Sequence, residues 1–124
     1  IIIGVANFAT VCDTTYGVGI TESRGGPAGE SIIAAHEIAH NLGAPHDNEV
    51  GSACESAPPG FLMDKTYTGS ETFSQCSIDQ MVPVIASKSC FRPWLENDLS
   101  LRVINGKSEV NLGDSTASLV VAVV

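Results

Sequence analysis

The histidines of this chain are concentrated in one short stretch, at His36, His40 and His46. His36 and His40 stand four residues apart, so a helix would carry both on one face, one turn from each other. Two imidazoles supply half of a tetrahedral zinc shell, and a catalytic zinc takes three protein ligands and leaves its fourth position to water. With His46 returning as the third ligand, the spacing predicts a zinc site.

Glu37, beside the first histidine, is predicted to act on the water at that site. Its carboxylate could accept a proton from zinc-bound water, whose pKa zinc lowers to roughly 7. Gly43 can adopt a positive φ where the helix ends, and Pro45 would stiffen the return toward His46. A bare H-E-x-x-H also occurs on ordinary amphipathic helices, but the glycine and the third histidine at fixed offsets favour a metal site.

A helix with Ser31 as its N-cap, running to about Leu42, would position the first two histidines. Ahead of it, the apolar segment 1–11 is typical of a buried strand or a close-packed segment leading to Cys12. Residues 17–21 are typical of a short strand and the glycine-rich segment 24–29 of a loop. An apolar stripe on this helix, away from the histidine edge, is expected to pack inward. The stripe consists of Ile32, Ala35, Ala39 and Leu42.

Beyond the histidines, residues 47–60 have an irregular pattern, and Ser77 opens a capping box that predicts a second helix. Pro83 in its second turn is expected to kink that helix. Residues 99–112, with Asn-Gly at their centre, predict a hairpin, and 118–124 a further strand. The apolar residues expected to face inward from the second helix are Ile78, Met81, Val82 and Ile85.

Length and composition place limits on the function. The 124 residues suffice for one domain, and 44% hydrophobic residues can form a core. The net charge of −8 argues against nucleic acid, heparin or an anionic membrane as partners. The apolar segment 118–124 is far shorter than the roughly 20 residues of a membrane span, so no membrane span is expected in this chain.

The cysteines form an even set without a C-x-x-C pair. A structural zinc site usually has two closely spaced pairs of ligands, so cysteine-bound zinc is disfavoured. Disulfides are favoured instead, which implies an oxidising compartment. Spacing alone leaves three connectivities open among Cys12, Cys54, Cys76 and Cys90.

With these residues placed, the chain resembles the metzincin zinc endopeptidases, and within them the reprolysin (adamalysin) branch of snake-venom, tick and ADAM metalloproteases. The resemblance covers about residues 4–92 and is carried first by the H-E-x-x-H-x-x-G-x-x-H motif, which is highly specific for metzincins. Asp47, directly after the third histidine, indicates the reprolysin branch. Supporting segments are Val11-Cys12-Asp13, Gly17-Val18-Gly19-Ile20 and Phe73-Ser74-Gln75-Cys76-Ser77.

The resemblance implies an α/β fold, with a twisted sheet and an active-site helix above the cleft. A small irregular lower subdomain would carry His46 and Met63, the latter as the Met-turn beneath the metal. Residues 1–92 would be a partial catalytic domain, 93–124 an unassigned tail with a β-rich pattern, and 64–72 the lining of the pocket past the scissile bond. The family pattern assigns one zinc ion to His36, His40 and His46, the general base to Glu37, and disulfides to Cys12–Cys90 and Cys54–Cys76.

The chain also departs from the family pattern. The resemblance begins midway through the catalytic domain, so the upstream strands, including the edge strand that binds substrate, are expected to be missing. Phe61 and Ser56 stand where relatives have a further cysteine and its partner. Pro93 replaces the asparagine of a calcium site, so calcium is not expected. Lys65 occupies the position at which other metzincins place a tyrosine close to the zinc.

These patterns predict a secreted zinc metalloendopeptidase that acts as a monomer and cleaves internal bonds of protein or peptide substrates. Asp47 is interpreted as structural, orienting the loop that carries the third ligand. An alternative is a secreted module that binds zinc but is proteolytically inactive and acts by binding. A third hypothesis, a disulfide-stabilised domain with an inert motif, gives the three histidines no role.

Overall fold

The computed structural model describes residues 3–23 and 25–91, together with the backbone of 100–104 and 107–111. Within these residues the chain is an α/β structure of two helices and two antiparallel strand pairs. The elements in chain order are β1 (Gly4–Ala6), β2 (Gly19–Thr21), α1 (Gly26–Asn41), α2 (Gln75–Ser87), a 3-10 turn (Ser89–Phe91), β3 (Ser100–Ile104) and β4 (Lys107–Asn111).

The first strand pair is shorter than the sequence predicts. β1 and β2 pair antiparallel, with Val5 opposite Ile20, and the exposed fractions of these side chains are 58% and 76%. The prediction of a buried strand is therefore wrong for the described part of segment 1–11, where the strand covers only Gly4–Ala6 and Val5 is exposed. The chain leaves β1 for turns in which Ala9 N donates to His40 O (2.8 Å) and Val11 N donates to Asn41 O (3.0 Å). This segment thus satisfies carbonyls at the end of α1, which a helix cannot satisfy internally.

Helix α1 begins at Gly26, well before the predicted cap at Ser31, and includes most of the predicted loop. The reason is Pro27 in its first turn, where the missing N–H of proline is not needed and its fixed φ suits the helix. The preceding Gly25 adopts the left-handed conformation (φ 74°). Ser31 Oγ donates to Ala28 O at 2.8 Å instead of capping the helix.

Helix α2 also begins earlier than predicted. Its N-cap is Ser74, whose Oγ accepts a hydrogen bond from Ser77 N at 3.0 Å, so the capping box expected at Ser77 is not used. The helix continues across Pro83 to its end. It buries Ser77 and Met81, whereas Ile78 and Val82, which were predicted to face inward, are exposed.

The core lies between the two helices and the segment that joins them. Leu42, Phe73 and Ile85 are partly buried against it, as is Ala35. Met63 is fully buried in this core. The buried members are Ala39, Ala44, Leu62, Met63 and Met81.

Two disulfides connect distant parts of the chain. Cys12, after β1, is joined to Cys90, after α2, across a sequence separation of 78, and Cys54 is joined to Cys76 across 22. Cross-links that close such loops typically stabilise a fold by about 2–4 kcal/mol, chiefly by restricting the unfolded chain. The described residues contain no free cysteine.

The second strand pair confirms the hairpin predicted for 99–112 within its described residues, 100–104 and 107–111. β3 and β4 pair antiparallel, with Ser100 opposite Asn111 and Ile104 opposite Lys107. The strand predicted for 118–124 lies outside the described residues. In the part of the chain that the structure covers, neither helix combines the length and apolar character that crossing a bilayer requires.

The turn after α1 yields a stability prediction. Gly43 has a φ of 98°, and a Cβ at this position would lie 2.6 Å from a methyl carbon of Val84 on α2. Gly43→Ala should therefore lower the free energy of unfolding by about 3 kcal/mol, from the left-handed backbone and the collision together. Gly60→Ala is the matched control, because Gly60 has nearly the same φ (97°) and open space around it. It should cost only about 1 kcal/mol.

Denaturant unfolding of the oxidised parent and of both variants measures this difference. Equal losses in the two variants would show that contact with Val84 does not constrain this turn.

Candidate metal centre

Helix α1 and the turn that follows it bring the three histidines together. His36 and His40 lie one turn apart on the helix, which ends at Asn41. Gly43 N donates to His40 O (3.0 Å) and Ala44 N donates to Ala39 O (2.9 Å), so the chain reverses tightly and returns His46 to the same side. The positive φ of Gly43 permits this reversal.

The Nδ1 atom of each ring faces an oxygen. His36 Nδ1 lies 2.8 Å from Leu62 O, and His40 Nδ1 lies 2.8 Å from Ala44 O. His46 Nδ1 lies 2.8 Å from a carboxylate oxygen of Glu49. Because carbonyl and carboxylate oxygens only accept, each Nδ1 carries the proton and donates. In the neutral ring, Nε2 then bears a lone pair, the form that ligates a metal.

These lone pairs converge. The Nε2 atoms of His40 and His46 are 3.2 Å apart, and the three rings lie within 4.7–5.3 Å of one another, centroid to centroid. At this distance the two atoms could share one proton as a hydrogen bond, or share a metal ion when neither carries a proton. Two nitrogens on one tetrahedral zinc, with bonds of about 2.0–2.1 Å, would stand about 3.3 Å apart. The donor set and its spacing fit a zinc ion, and this is the one cluster of metal-ligating side chains in the described residues.

Burial keeps two of these rings neutral. Desolvation lowers the pKa of His36 to about 4, against a hydrogen bond to Leu62 that favours the charged ring. Desolvation likewise lowers the pKa of His40. At neutral pH both imidazoles are therefore uncharged, as ligands must be.

Glu37 is buried beside the histidines, beneath the first strand pair. Desolvation is the main cause that raises the pKa of its carboxyl. A Cβ at Gly4 would collide with this carboxyl group and would lie 2.7 Å from its Cδ, whereas one at Gly19 would approach Glu37 Cβ only to 3.5 Å. The bare backbone of Gly4 thus provides the space that Glu37 occupies. This role of Gly4 was not predicted from the sequence, in which its signal is a glycine inside an apolar run.

The site opens into a cavity of about 360 Å³. Ile32 and Ile33 of α1 are buried and line this cavity together with Leu62, so Ile32 packs inward as predicted, but on the side of the helix that also faces the histidines. The segment after Met63 contributes as the resemblance implies, through Asp64, Lys65, Tyr67 and Thr68.

Strand β1 borders the same cavity through residues 3–6. Ile3 O accepts from Glu22 N and Asn7 N donates to Val18 O, so alternate residues of β1 are bonded toward β2. In an antiparallel ladder the backbone groups of the intervening residues, Gly4 and Ala6, point to the opposite edge. The described structure thus has a strand with one unpaired edge at the site, which differs from the expectation that the sequence lacks such a strand.

Asp47 links the loop of His46 to the rest of the fold. Its backbone N donates to Met63 O at 2.8 Å. Its buried carboxylate accepts hydrogen bonds through Oδ1 from Ser74 Oγ (2.7 Å) and Ser77 Oγ (3.1 Å). These contacts support its interpretation as a structural residue, and the two serines were not anticipated.

Known proteins share this sequence pattern. Residues 1–91 match the family described as reprolysin (M12B) family zinc metalloprotease. A zinc metalloproteinase/disintegrin of Bitis gabonica is 30% identical over 106 residues, covering 83% of this chain and 29% of that protein. The human disintegrin and metalloproteinase domain-containing protein 9 is 33% identical over 68% of this chain and 10% of its own length. The venom metalloproteinase fibrolase of Macrovipera lebetinus is 37% identical, covering 63% of this chain and 39% of that protein. The chain thus spans about a tenth to two fifths of these relatives.

The converging lone pairs predict that zinc stabilises the fold. Zinc ions added to the chelator-treated chain at about 100 times the dissociation constant should raise the free energy of unfolding by about 2.7 kcal/mol. For a domain of this size the melting temperature should rise by about 10 °C. His40→Ala and His46→Ala should each remove most of this rise.

Thermal unfolding with and without zinc measures the effect, and magnesium, which prefers oxygen ligands, serves as the control ion. A rise of the same size in His46→Ala would show that zinc binds elsewhere.

Proposed function

The chain belongs to the reprolysin (M12B) family of zinc metalloproteases, and we propose that it is a secreted metalloendopeptidase that hydrolyses internal peptide bonds of proteins. The observation that carries this proposal is the convergence of three histidine rings, each with its Nδ1 against an oxygen, beside a buried glutamate. Metalloproteases need this combination of a three-ligand metal site and an adjacent carboxylate base.

His36, His40 and His46 would hold one zinc ion through their Nε2 atoms. When bound, zinc supplies a water of pKa roughly 7 and polarises the carbonyl of the scissile bond. We assign Met63 to the Met-turn, and its full burial in the core next to Leu62, whose carbonyl accepts from His36, supports this role.

Glu37 would act as the general base. Its carboxylate would take the proton of the attacking water and pass it to the departing amine nitrogen. The burial that raises its pKa brings that pKa closer to the operating pH, which favours proton transfer in both directions. Contact with Gly4 on β1 would keep the carboxylate in place.

The substrate would bind along β1. The unpaired edge offers backbone groups of Gly4 and Ala6, to which an extended peptide could add as a further strand. Side chains of that peptide would enter the cavity lined by Ile32, Ile33 and Leu62. This strand favours the protease over the inactive zinc-binding module, which was suggested by the expected absence of a substrate strand.

The proposed location is extracellular. Two disulfides within about 90 residues are typical of an oxidising environment. The similarity to relatives named as venom metalloproteinases also supports an extracellular location. A monomeric state remains a prediction, as does the absence of calcium, since Pro93 lies outside the described residues.

The central test is peptide cleavage by the oxidised, zinc-loaded 124-residue chain, with Glu37→Gln in parallel. The parent should cleave a mixed peptide library, and a chelator should abolish the cleavage. Glu37→Gln should bind zinc like the parent, because it removes no ligand, yet cleave about 10²-fold or more slowly. Product peptides are identified by mass spectrometry and zinc content by atomic absorption.

Undiminished cleavage by Glu37→Gln would refute the assignment of the base. Zinc binding by the parent without cleavage would favour the inactive module.

A second prediction concerns the space next to Glu37. Gly4→Ala should displace the carboxylate and lower kcat by about 10- to 100-fold, since small misplacements of catalytic groups have effects of this size. Gly19→Ala makes the same chemical change on the neighbouring strand, but its new methyl would meet Ala6 Cβ at 3.2 Å and Glu37 Cβ at 3.5 Å. It should therefore lower kcat by much less.

Zinc content should remain equal in both variants, because neither position provides a ligand. Equal kcat values for Gly4→Ala and Gly19→Ala would show that contact with Gly4 does not position Glu37.

A further inference from the structure

We infer that Glu49 is a positioning residue of the metal centre, which holds His46 through its Nδ1–H and strengthens the binding of zinc. The inference rests on the proposed function, because it takes His46 to be a zinc ligand. Its basis is the 2.8 Å hydrogen bond between His46 Nδ1 and Glu49 Oε2.

The three ligands differ in what holds them. His36 and His40 sit on a helix and donate to backbone carbonyls of Leu62 and Ala44, which are neutral acceptors fixed by the fold. His46 lies on a loop and donates to a carboxylate instead. At the same 2.8 Å separation, a charged acceptor gives a stronger hydrogen bond than a neutral one and makes the ring a better electron donor. His46, the one ligand of the three that does not lie on a helix, thus has the one charged acceptor.

The local turn places Glu49 against the ring of His46. Ser52 N donates to Glu49 O at 3.0 Å, and Ser52 Oγ donates to His46 O, so the loop closes on itself. The other carboxylate oxygen of Glu49 lies 3.9 Å from Lys65 Nζ. The Glu49 carboxylate is therefore held between an imidazole and an ammonium group, and its hydrogen bond to His46 is the main cause that lowers its pKa.

Glu49 lies outside the H-E-x-x-H-x-x-G-x-x-H motif, and nothing in its spacing marked it in the sequence. Its side chain is 38% exposed, so it is not needed to fill the core. A substitution there should leave the metal-free fold intact and act on the metal. Partners of this kind typically change metal affinity 10- to 100-fold.

The test is zinc affinity, measured by competition with a chromophoric chelator at constant pH. Glu49→Gln keeps an oxygen that can accept from Nδ1–H but removes the charge, and it should weaken zinc binding about tenfold. Glu49→Ala removes both and should weaken it toward 100-fold. The matched control is Glu55→Gln, on the same loop, whose carboxylate accepts from Gly51 N and contacts no histidine.

A second readout separates electronic from merely structural effects. Cobalt(II) replaces zinc in such sites and reports its ligand field through visible absorption. The bands should shift in Glu49→Gln and stay unchanged in Glu55→Gln. The melting temperature of the metal-free chain should be the same for the parent and Glu49→Gln, which confirms that the variant folds.

The outcomes distinguish the two proposals. If the parent binds no zinc, or His46→Ala binds it as tightly as the parent, the proposed zinc site itself fails. If His46→Ala loses zinc while Glu49→Gln and Glu49→Ala retain the affinity and cobalt spectrum of the parent, only the role of Glu49 is overturned. Weaker zinc binding in both Glu49 variants, with Glu55→Gln unchanged, supports the inference.

Discussion

Three imidazole lone pairs that face one another repel unless a cation lies between them. Hydrogen bonds to several segments of the fold nevertheless hold the three rings in this arrangement. The Nε2 atoms of His40 and His46 are only 3.2 Å apart. What holds the rings is the opposite nitrogen of each, donated to Leu62 O, Ala44 O and Glu49. Each acceptor comes from a different segment, so the joining segment, the helix turn and the loop must all be in place. The cost of assembling them without an ion is the reason to expect metal binding and folding to be coupled.

Asp47 is the residue that keeps the loop of His46 in register with the helices. Its buried carboxylate is costly to desolvate, and hydrogen bonds from Ser74 and Ser77 to Oδ1 offset part of that cost, while Oδ2 is buried without a hydrogen-bond partner among the described residues. The same two bonds fix how α2 is rotated about its axis. Ser77 and Met81 therefore face inward while Ile78 is exposed, although hydropathy alone would bury the isoleucine. A polar contact here overrides the apolar pattern.

The sequence predicted the parts of the site that depend on spacing along one segment. The helix under His36 and His40, the hairpin over 99–112 and the convergence of the histidines all follow from local periodicity or a fixed motif. It failed where a contact between segments decides the outcome. The orientation of α2 depends on Ser74 and Ser77 bonding to Asp47, and the role of Gly4 depends on Glu37 lying against it. Neither partner is visible from the neighbouring residues in the chain. A contact between segments also explains why the strand predicted for 1–11 is short, because Ala9 N and Val11 N donate to carbonyls at the end of α1 instead of continuing a strand.

Gly4 joins two requirements of the proposed reaction in one residue. Its backbone groups point to the unpaired edge of β1, where a peptide would bind, and the absence of its side chain provides the space for the Glu37 carboxyl. The position of a bound peptide and the position of the base are then set by the same backbone atoms, so a shift of the strand would move both together. A strand of only three residues can serve this purpose, because the alignment depends on one close contact rather than on a long ladder. In the proposed reaction, the short β1–β2 pair would thereby align substrate, base and metal ligands on one side of α1.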